Sequence, residues 1–322
     1  MRHTPRLAAV VLVAAALLAA PGPAAAQPPP TEPVEWVEVF SPDGTIERVE
    51  VPERTEPRTA RITAAPPTVV ALQRTGPSDR RFDLVFVGDG YTAAELGAFR
   101  NHVAGKWAHM ITVEPFRSYK DSFNVWMVNV VSPESGVDHD PYRGVSRDTA
   151  LGMGFWCANM QRLLCVNERA ARSYAAYAPE ADQVIALANS TTYGGAGGGV
   201  ATASGGNPQS GWIAVHELGH SVGGLGDEYD YPYDRYSGPE PSAPNISVYS
   251  SSQMSAYRLK WYAYLGRPTP DGGVIGTYAG AHQYRTGIHR PSQDSLMRTL
   301  GRPFNSVGLD IMIAAIRART GT

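Results

Sequence analysis

The stretch Trp212-Ile213-Ala214-Val215-His216-Glu217-Leu218-Gly219-His220-Ser221-Val222-Gly223 sets how the rest of the chain is read. Its apolar opening predicts a helix, Trp212–Gly223, anchored in a core. His216 and His220 are four residues apart, so on a helix both imidazoles point the same way and can reach one ion. Neutral imidazole is an ordinary zinc ligand. Glu217 stands one position on, beside the ion rather than bound to it, where it can take a proton from water. A catalytic zinc needs three protein ligands and an open position. Gly223-Gly224-Leu225-Gly226-Asp227-Glu228 follows directly, and glycines can end a helix with a left-handed turn that reverses the chain. Asp227 is the chosen third ligand, because it follows Gly226 directly and has the shorter reach. Glu228 is the alternative. The expectation is one zinc ion on His216, His220 and Asp227, with Glu217 as general base.

Upstream of this helix, strands alternate with helices. Phe82–Gly88 is an apolar run that predicts a buried strand. Thr92 and Glu95 form a capping-box pattern for a helix over Ala93–Met110. Asn124–Val131 and Gln183–Ala188 predict two further strands, and Asn167–Tyr177 a helix. Ser190–Gly206 is mostly Gly, Ala, Ser and Thr, so it is either connector or a thin edge strand able to accept a peptide by strand addition. Residues 226–300 are rich in Pro, Gly and Tyr, with little periodic structure. Val307–Arg319 predicts a closing helix with Val307, Ile311, Ala314 and Ala315 on one side. This order indicates an α/β or α+β fold.

At the other end, Arg2, His3 and Arg6 precede the uncharged run Leu7–Ala20 and the small residues Ala24-Ala25-Ala26. This predicts a secretory signal over residues 1–26 and an exported protein without a membrane segment in its mature form. Residues 27–80 form a proline-rich N-terminal segment, within which Val34–Phe40 and Thr45–Val51 flank the turn signal Ser41-Pro42-Asp43-Gly44 as a small hairpin. Such a hairpin cannot build a core alone and must pack on the main domain, residues 81–322, or stay loose. Residues 52–80 suggest a linker or wrapped arm. The segment 27–80 lies where a propeptide would, but it holds no cysteine or distinctive metal-blocking motif. Export makes a disulfide between Cys157 and Cys165 plausible. Eight residues of helix would hold them about 12 Å apart, so a bridge requires Phe155–Val166 to bend. A net charge of −2 gives no basic excess for nucleic acid or an anionic membrane surface.

Other residues carry weaker signals. Met297, in Ser295-Leu296-Met297-Arg298, can supply an apolar floor beneath a metal. His102 and His109 read as packing. Asp138, His139 and Asp140 form an acidic turn that could bind calcium through oxygen ligands. Tyr229, Tyr284, His289 and Arg298 are open candidates for stabilising an oxyanion.

Several blocks, in order, resemble the bacterial IgA-peptidase family of metallopeptidases. They are Gly88-Asp89-Gly90-Tyr91-Thr92-Ala93-Ala94-Glu95, Ser135-Gly136-Val137-Asp138, Tyr193-Gly194-Gly195, the helix running on through Leu225-Gly226-Asp227-Glu228-Tyr229, and Arg290-Pro291-Ser292 through Met297-Arg298. The resemblance spans residues 82–318. It implies an α+β, metzincin-like zincin catalytic domain with a mixed sheet, an active-site helix and an irregular C-terminal half, one zinc ion, and proteolysis. The chain departs from the related metzincin pattern H-E-x-x-H-x-x-G-x-x-H, because Gly226 stands in the place of its third histidine. Members often carry an additional N-terminal β domain. Here only about 55 residues separate Ala26 from Phe82, too few for a sandwich of about 100.

The reading is therefore a secreted zinc-dependent endopeptidase acting on a protein or peptide. Two rivals stand beside it: a secreted binding protein with a silent zinc site, and a zinc amidase acting on cell-wall peptides.

Overall fold

A computed structural model describes residues 34–52 and 66–321. The signal-peptide reading of residues 1–26, the proline-rich stretch 27–33 and the middle of the linker reading, 53–65, lie outside the described residues.

The expected hairpin forms from β1 (Val34–Phe40) and β2 (Ile46–Pro52), with Val37 opposite Val49 and Phe40 opposite Ile46. Where a linker or wrapped arm was expected, β3 (Thr68–Gln73) is a strand, only part-buried at the outer edge of the sheet. Next come β4 (Phe82–Asp89), α1 (Leu96–Met110) and β5 (Phe123–Asn129). They are followed by α2 (Glu168–Ala175), β6 (Gln183–Ala188), β7 (Gly195–Ala196) and β8 (Ala201–Ser204). Thus Ser190–Gly206 contributes two short strands rather than a plain connector. After α3 (Gly211–Gly223) come β9 (Tyr233–Arg235), α4 (Ser251–Tyr257), β10 (Tyr278–Ala281), β11 (Tyr284–Arg290) and α5 (Ser306–Thr320).

Among the described residues, the main sheet has eight strands in the order β2-β1-β7-β8-β6-β4-β5-β3. β4, β5, β6 and β8 run parallel, whereas β1, β2, β3 and β7 pair antiparallel with their neighbours. The fold is therefore mixed α+β. Parallel strands need helical crossovers, which leave both faces covered and call for continuous apolar runs. In β4, Leu84 and Phe86 face one core, with Phe99, Val103 and Trp107 of α1, Ile213 and Leu218 of α3, and Met312 of α5. Val85 and Val87 face the other, with Phe155, Ala171 and Tyr174.

The chain leaves β4 through Gly90, at φ +72°, where a Cβ would lie 2.1 Å from the Gly136 carbonyl oxygen. Asp89 stays buried beside it, accepting from Leu151 N and Met153 N at 2.8 Å and from the Thr149 hydroxyl at 2.9 Å. Gly90→Ala combines a left-handed φ with overlap on backbone, which cannot swing away. We expect it to destabilise the protein by about 2–5 kcal/mol. An unchanged urea midpoint would contradict this packing.

Cys157 and Cys165 are bridged with their Cα atoms 6.2 Å apart. The required bend is made at Trp156, Ala158 and Asn159, all at positive φ. The bridged loop packs Cys157 and Leu163 on Val37, Val39 and Val51 of the hairpin. The hairpin is therefore seated, not loose.

Two further expectations need correction. Residues 226–300 contain three short strands, which form a second sheet in the order β10-β11-β9, and α4, which is opened by Ser250 and Gln253. Elements of three to seven residues are too brief to show a period. In α5 the buried residues are Val307, Gly308, Met312, Ile316 and Thr320, with Ile311 and Ala315 part-buried against the core, so that of the expected face only Ala314 is exposed. No helix of the described residues is long and apolar enough to cross a membrane.

Candidate metal centre

Helix α3 is buried along most of its length, including His216 and Glu217. Both histidines are oriented through their far nitrogens. His216 Nδ1 lies 3.3 Å from Leu296 O and His220 Nδ1 lies 2.7 Å from Leu225 O. A carbonyl can only accept, so each Nδ1 carries a proton, and in the neutral imidazole each Nε2 keeps its lone pair. The two Nε2 atoms face each other 3.1 Å apart.

The reversal after the helix is made by Gly224, at φ +60°, with Leu225 N donating to Gly219 O at 3.1 Å. It returns Asp227 to the histidines. Asp227 Oδ1 lies 3.2 Å from His220 Nε2 and 3.6 Å from His216 Nε2. Its Oδ2 accepts from Gln283 Nε2 at 2.9 Å. Glu228 turns the opposite way into a buried polar cluster, where it accepts from Asn245, Asn305 and the Ser295 hydroxyl. Its backbone N–H donates to Met297 O at 2.8 Å. Met297 packs under the helix, where a Cβ on Gly219 would lie 2.5 Å from its sulfur.

A fourth group completes the cluster, and sequence reasoning missed it. Glu38 of β1 places Oε2 3.2 Å from His216 Nε2 and 3.8 Å from His220 Nε2. Its Oε1 accepts from the Tyr229 hydroxyl at 2.8 Å. Glu38, His216, His220 and Asp227 together could hold a metal ion. The available signal was slight: Trp36, Glu38 and Phe40 share one strand face, so a carboxylate stands between aromatics where a partner is needed.

The electrostatics describe a self-neutralising cluster. Burial opposes charge on every member, and the ion pairs override it. Against burial, His216 is pushed up to about 9 by the neighbouring carboxylates of Asp227 and Glu38. His220 is likewise held well above the usual histidine range, mainly by the charge of Asp227. Although burial would raise them, Asp227 is held well below the carboxylate range and Glu38 is lowered, both by the histidines. Two Nε2 protons cannot share so short a gap comfortably, whereas two lone pairs can point at one cation. Asp227 Oδ1 has no hydrogen-bond donor, as a cation-facing oxygen requires. The group fits a metal ion.

Glu217 lies beside the four donors. A Cβ on Gly197 would meet Glu217 Oε1 at 2.3 Å and Glu38 Oε2 at 3.0 Å, so both carboxylates line the same small space. Glu217 Oε1 is buried without a hydrogen-bond partner. Burial first, and then repulsion from Glu38, raises its carboxyl to about 7, against the attraction of His220.

The remaining candidates separate by position. Tyr229 reaches the cluster through Glu38, whereas Tyr284 stacks with Tyr233 and Tyr236. His289 Nδ1 meets Ser247 O, and Arg298 pairs with Asp230 at 3.0 Å. His102 bonds the Tyr91 hydroxyl and His109 stacks edge-on against Trp212, both packing roles. In the acidic turn considered for calcium, Asp138 accepts from Arg147 N and Asp140 from the Thr192 hydroxyl, and with His139 they are not among the described groups that could hold a metal ion. A second acidic group, Asp83, Glu180 and Asp182, includes two carboxylates paired with Arg319.

Compared with known protein families, residues 70–271 match the family described as IgA Peptidase M64. That span contains α3, the glycine reversal and Asp227 but not β1. None of the curated proteins compared matches the chain.

Proposed function

The chain belongs to the IgA Peptidase M64 family, and on that premise we propose that it is a secreted zinc-dependent endopeptidase with a metzincin-like site. A peptidase acts on protein or peptide chains. The finer reading rests on one observation above all: two histidines with locked Nδ1 atoms and a returning aspartate aim their free donors at one point.

Zinc suits these donors. Tetrahedral ligands about 2.0–2.1 Å from the ion lie about 3.3–3.4 Å from one another. The two histidine Nε2 atoms lie 3.1 Å apart and 3.2–3.8 Å from the oxygens of Asp227 and Glu38, and all four donors lie within 4.8 Å of one another. In this reading His216, His220 and Asp227 hold the ion. A bound zinc ion supplies Lewis acidity that polarises a carbonyl and makes water a nucleophile near neutral pH. Glu217 takes the proton from the attacking water on its unpartnered Oε1 and passes it to the leaving amine. Leu296 O and Leu225 O keep both imidazoles in the required tautomer. Gln283 fixes Asp227 through Oδ2, leaving Oδ1 for the metal. Met297 excludes water from below. Residues 1–26 deliver the chain for export, and residues 81–322 carry the catalysis.

Metal analysis of the purified protein tests this. One zinc per chain is expected, with peptide hydrolysis that stops on chelation and returns on adding zinc while the fold persists. A chain that binds no zinc, or that hydrolyses equally well after chelation, sinks the reading.

A further inference from the structure

Strand β1 occupies the place at the site that an extended substrate would need. It lies antiparallel on β7, with Val39 opposite Ala196, and Gly197 N donates to Glu38 O at 3.1 Å. Without the hairpin, β7 would be the edge strand of the sheet beside α3. A bare sheet edge next to a catalytic group is where an extended peptide docks by strand addition. Here the chain's own strand fills that edge.

The side chains extend the same pattern. Glu38 contributes a fourth donor beside His216, His220 and Asp227, while a catalytic zinc site keeps one position open for water or substrate. Phe40 packs edge-on against the His216 ring, with centroids 5.5 Å apart. The hairpin is tied down away from the metal donors as well. Glu47 pairs with Arg162 at 3.2 Å, and Leu300 N donates to Gly44 O at 2.9 Å. Arg48 reaches Gln283, which holds Asp227.

We propose that the N-terminal hairpin is a built-in inhibitor: Glu38 is the fourth metal ligand, and β1 blocks the substrate's strand position until the hairpin is displaced. This rests on reading the cluster as a zinc centre. A closed four-ligand site has no position for a carbonyl or a reactive water, so the natural chain turns over slowly, through the fraction in which the hairpin is displaced. Displacing β1 frees the β7 edge and the fourth position together, so one movement supplies both the docking surface and the reactive site.

The test uses the full chain and its Glu38→Ala, Glu47→Arg and His220→Ala variants. Zinc affinity is measured by competition with a chromophoric chelator, coordination by the visible spectrum of the cobalt(II)-substituted protein, and hydrolysis on casein. Glu38→Ala is expected to keep one zinc per chain with affinity weakened about 10–100-fold, to shift the cobalt bands, and to raise hydrolysis about tenfold or more over the natural chain. Unchanged cobalt bands and affinity, or hydrolysis equal to or below that of the natural chain, overturn the proposal. His220→Ala reports on the premise: if it binds zinc as the natural chain does, the metal-centre reading fails, whatever Glu38 does. Glu47→Arg loosens the hairpin by setting like charge against Arg162, without touching the site. Exchange of the Gly197 amide should quicken in this variant and hydrolysis should rise with it. Faster exchange without added hydrolysis also overturns the proposal, even if Glu38→Ala does not fold.

Discussion

Glu217→Gln is expected to leave the fold and the zinc content unchanged and to lower peptide hydrolysis by about 10²–10⁴-fold, the range for losing a general base. The amide keeps the shape of the carboxyl but cannot take a proton. Glu217 Oε1 has no hydrogen-bond partner, so the exchange breaks no contact in the protein. It also removes a buried carboxyl that is costly to ionise, so stability should hold or rise slightly. The comparison belongs in both the natural and the Glu38→Ala backgrounds, so that a closed cleft does not hide the loss. New peptide termini, read by mass spectrometry, should come only from chains that keep Glu217. Equal hydrolysis by Glu217→Gln would remove Glu217 from the mechanism. Burial raises this carboxyl to about 7 in the absence of a cation. A base works only when ionised, so hydrolysis should fall toward acid pH as Glu217 takes up its proton.

Asp227→Asn and Glu228→Ala should fail in opposite ways. Asp227→Asn removes the carboxylate charge from a point 3.2 Å from His220 Nε2. Zinc affinity should drop by more than the roughly 100-fold typical of losing a supporting residue, with little change in the metal-free fold. Glu228→Ala takes the acceptor from the buried Ser295 hydroxyl and from one N–H each of Asn245 and Asn305, whose amides keep Gly226 O and Ser292 Oγ. Unsatisfied buried donors cost about 1–3 kcal/mol each. Relief of the Glu228 charge, whose carboxyl burial pushes up to about 7, offsets part of that. A net loss of about 3 kcal/mol is expected, while the remaining folded protein should still bind zinc. Denaturation midpoints and metal titration on the two variants separate these outcomes. Zinc lost from Glu228→Ala but kept by Asp227→Asn would reverse the assignment.

The parts of the fold that were legible in the sequence were those fixed by local rules. β4 and β6 read as apolar runs because each is covered on both faces. Thr92 and Glu95 marked a helix start, and their side chains do bond, with Thr92 N donating to Glu95 at 2.9 Å. They open a short 3-10 turn before α1 rather than a full α-helical turn. β3 escaped because an outer strand is half exposed and keeps a weak alternation. α5 was found with Val307, Ile311 and Ala315 on its packed side; Ala314 is exposed, and Gly308, Met312 and Ile316 complete the buried face.

The same division holds at the site. His216, Glu217 and His220 lie within one turn of one helix, so their spacing alone places them together. Asp227 follows through a glycine reversal only a few residues long, which a local argument can bridge. Whether Asp227 or Glu228 turned inward depended on partners far along the chain: Gln283 for one, and Asn245, Ser295 and Asn305 for the other. Glu38 is 178 residues from His216, and no local rule links a hairpin strand to a distant helix. The sequence by itself determined that His216, Glu217 and His220 stand together on one helix and that the core strands are apolar, because these follow from helix and strand periodicity. Only the tertiary structure decided which edge β1 would join, and therefore that a second carboxylate meets the histidines. Strand pairing is made by backbone groups that every residue carries, so its partner is selected by packing of the whole chain.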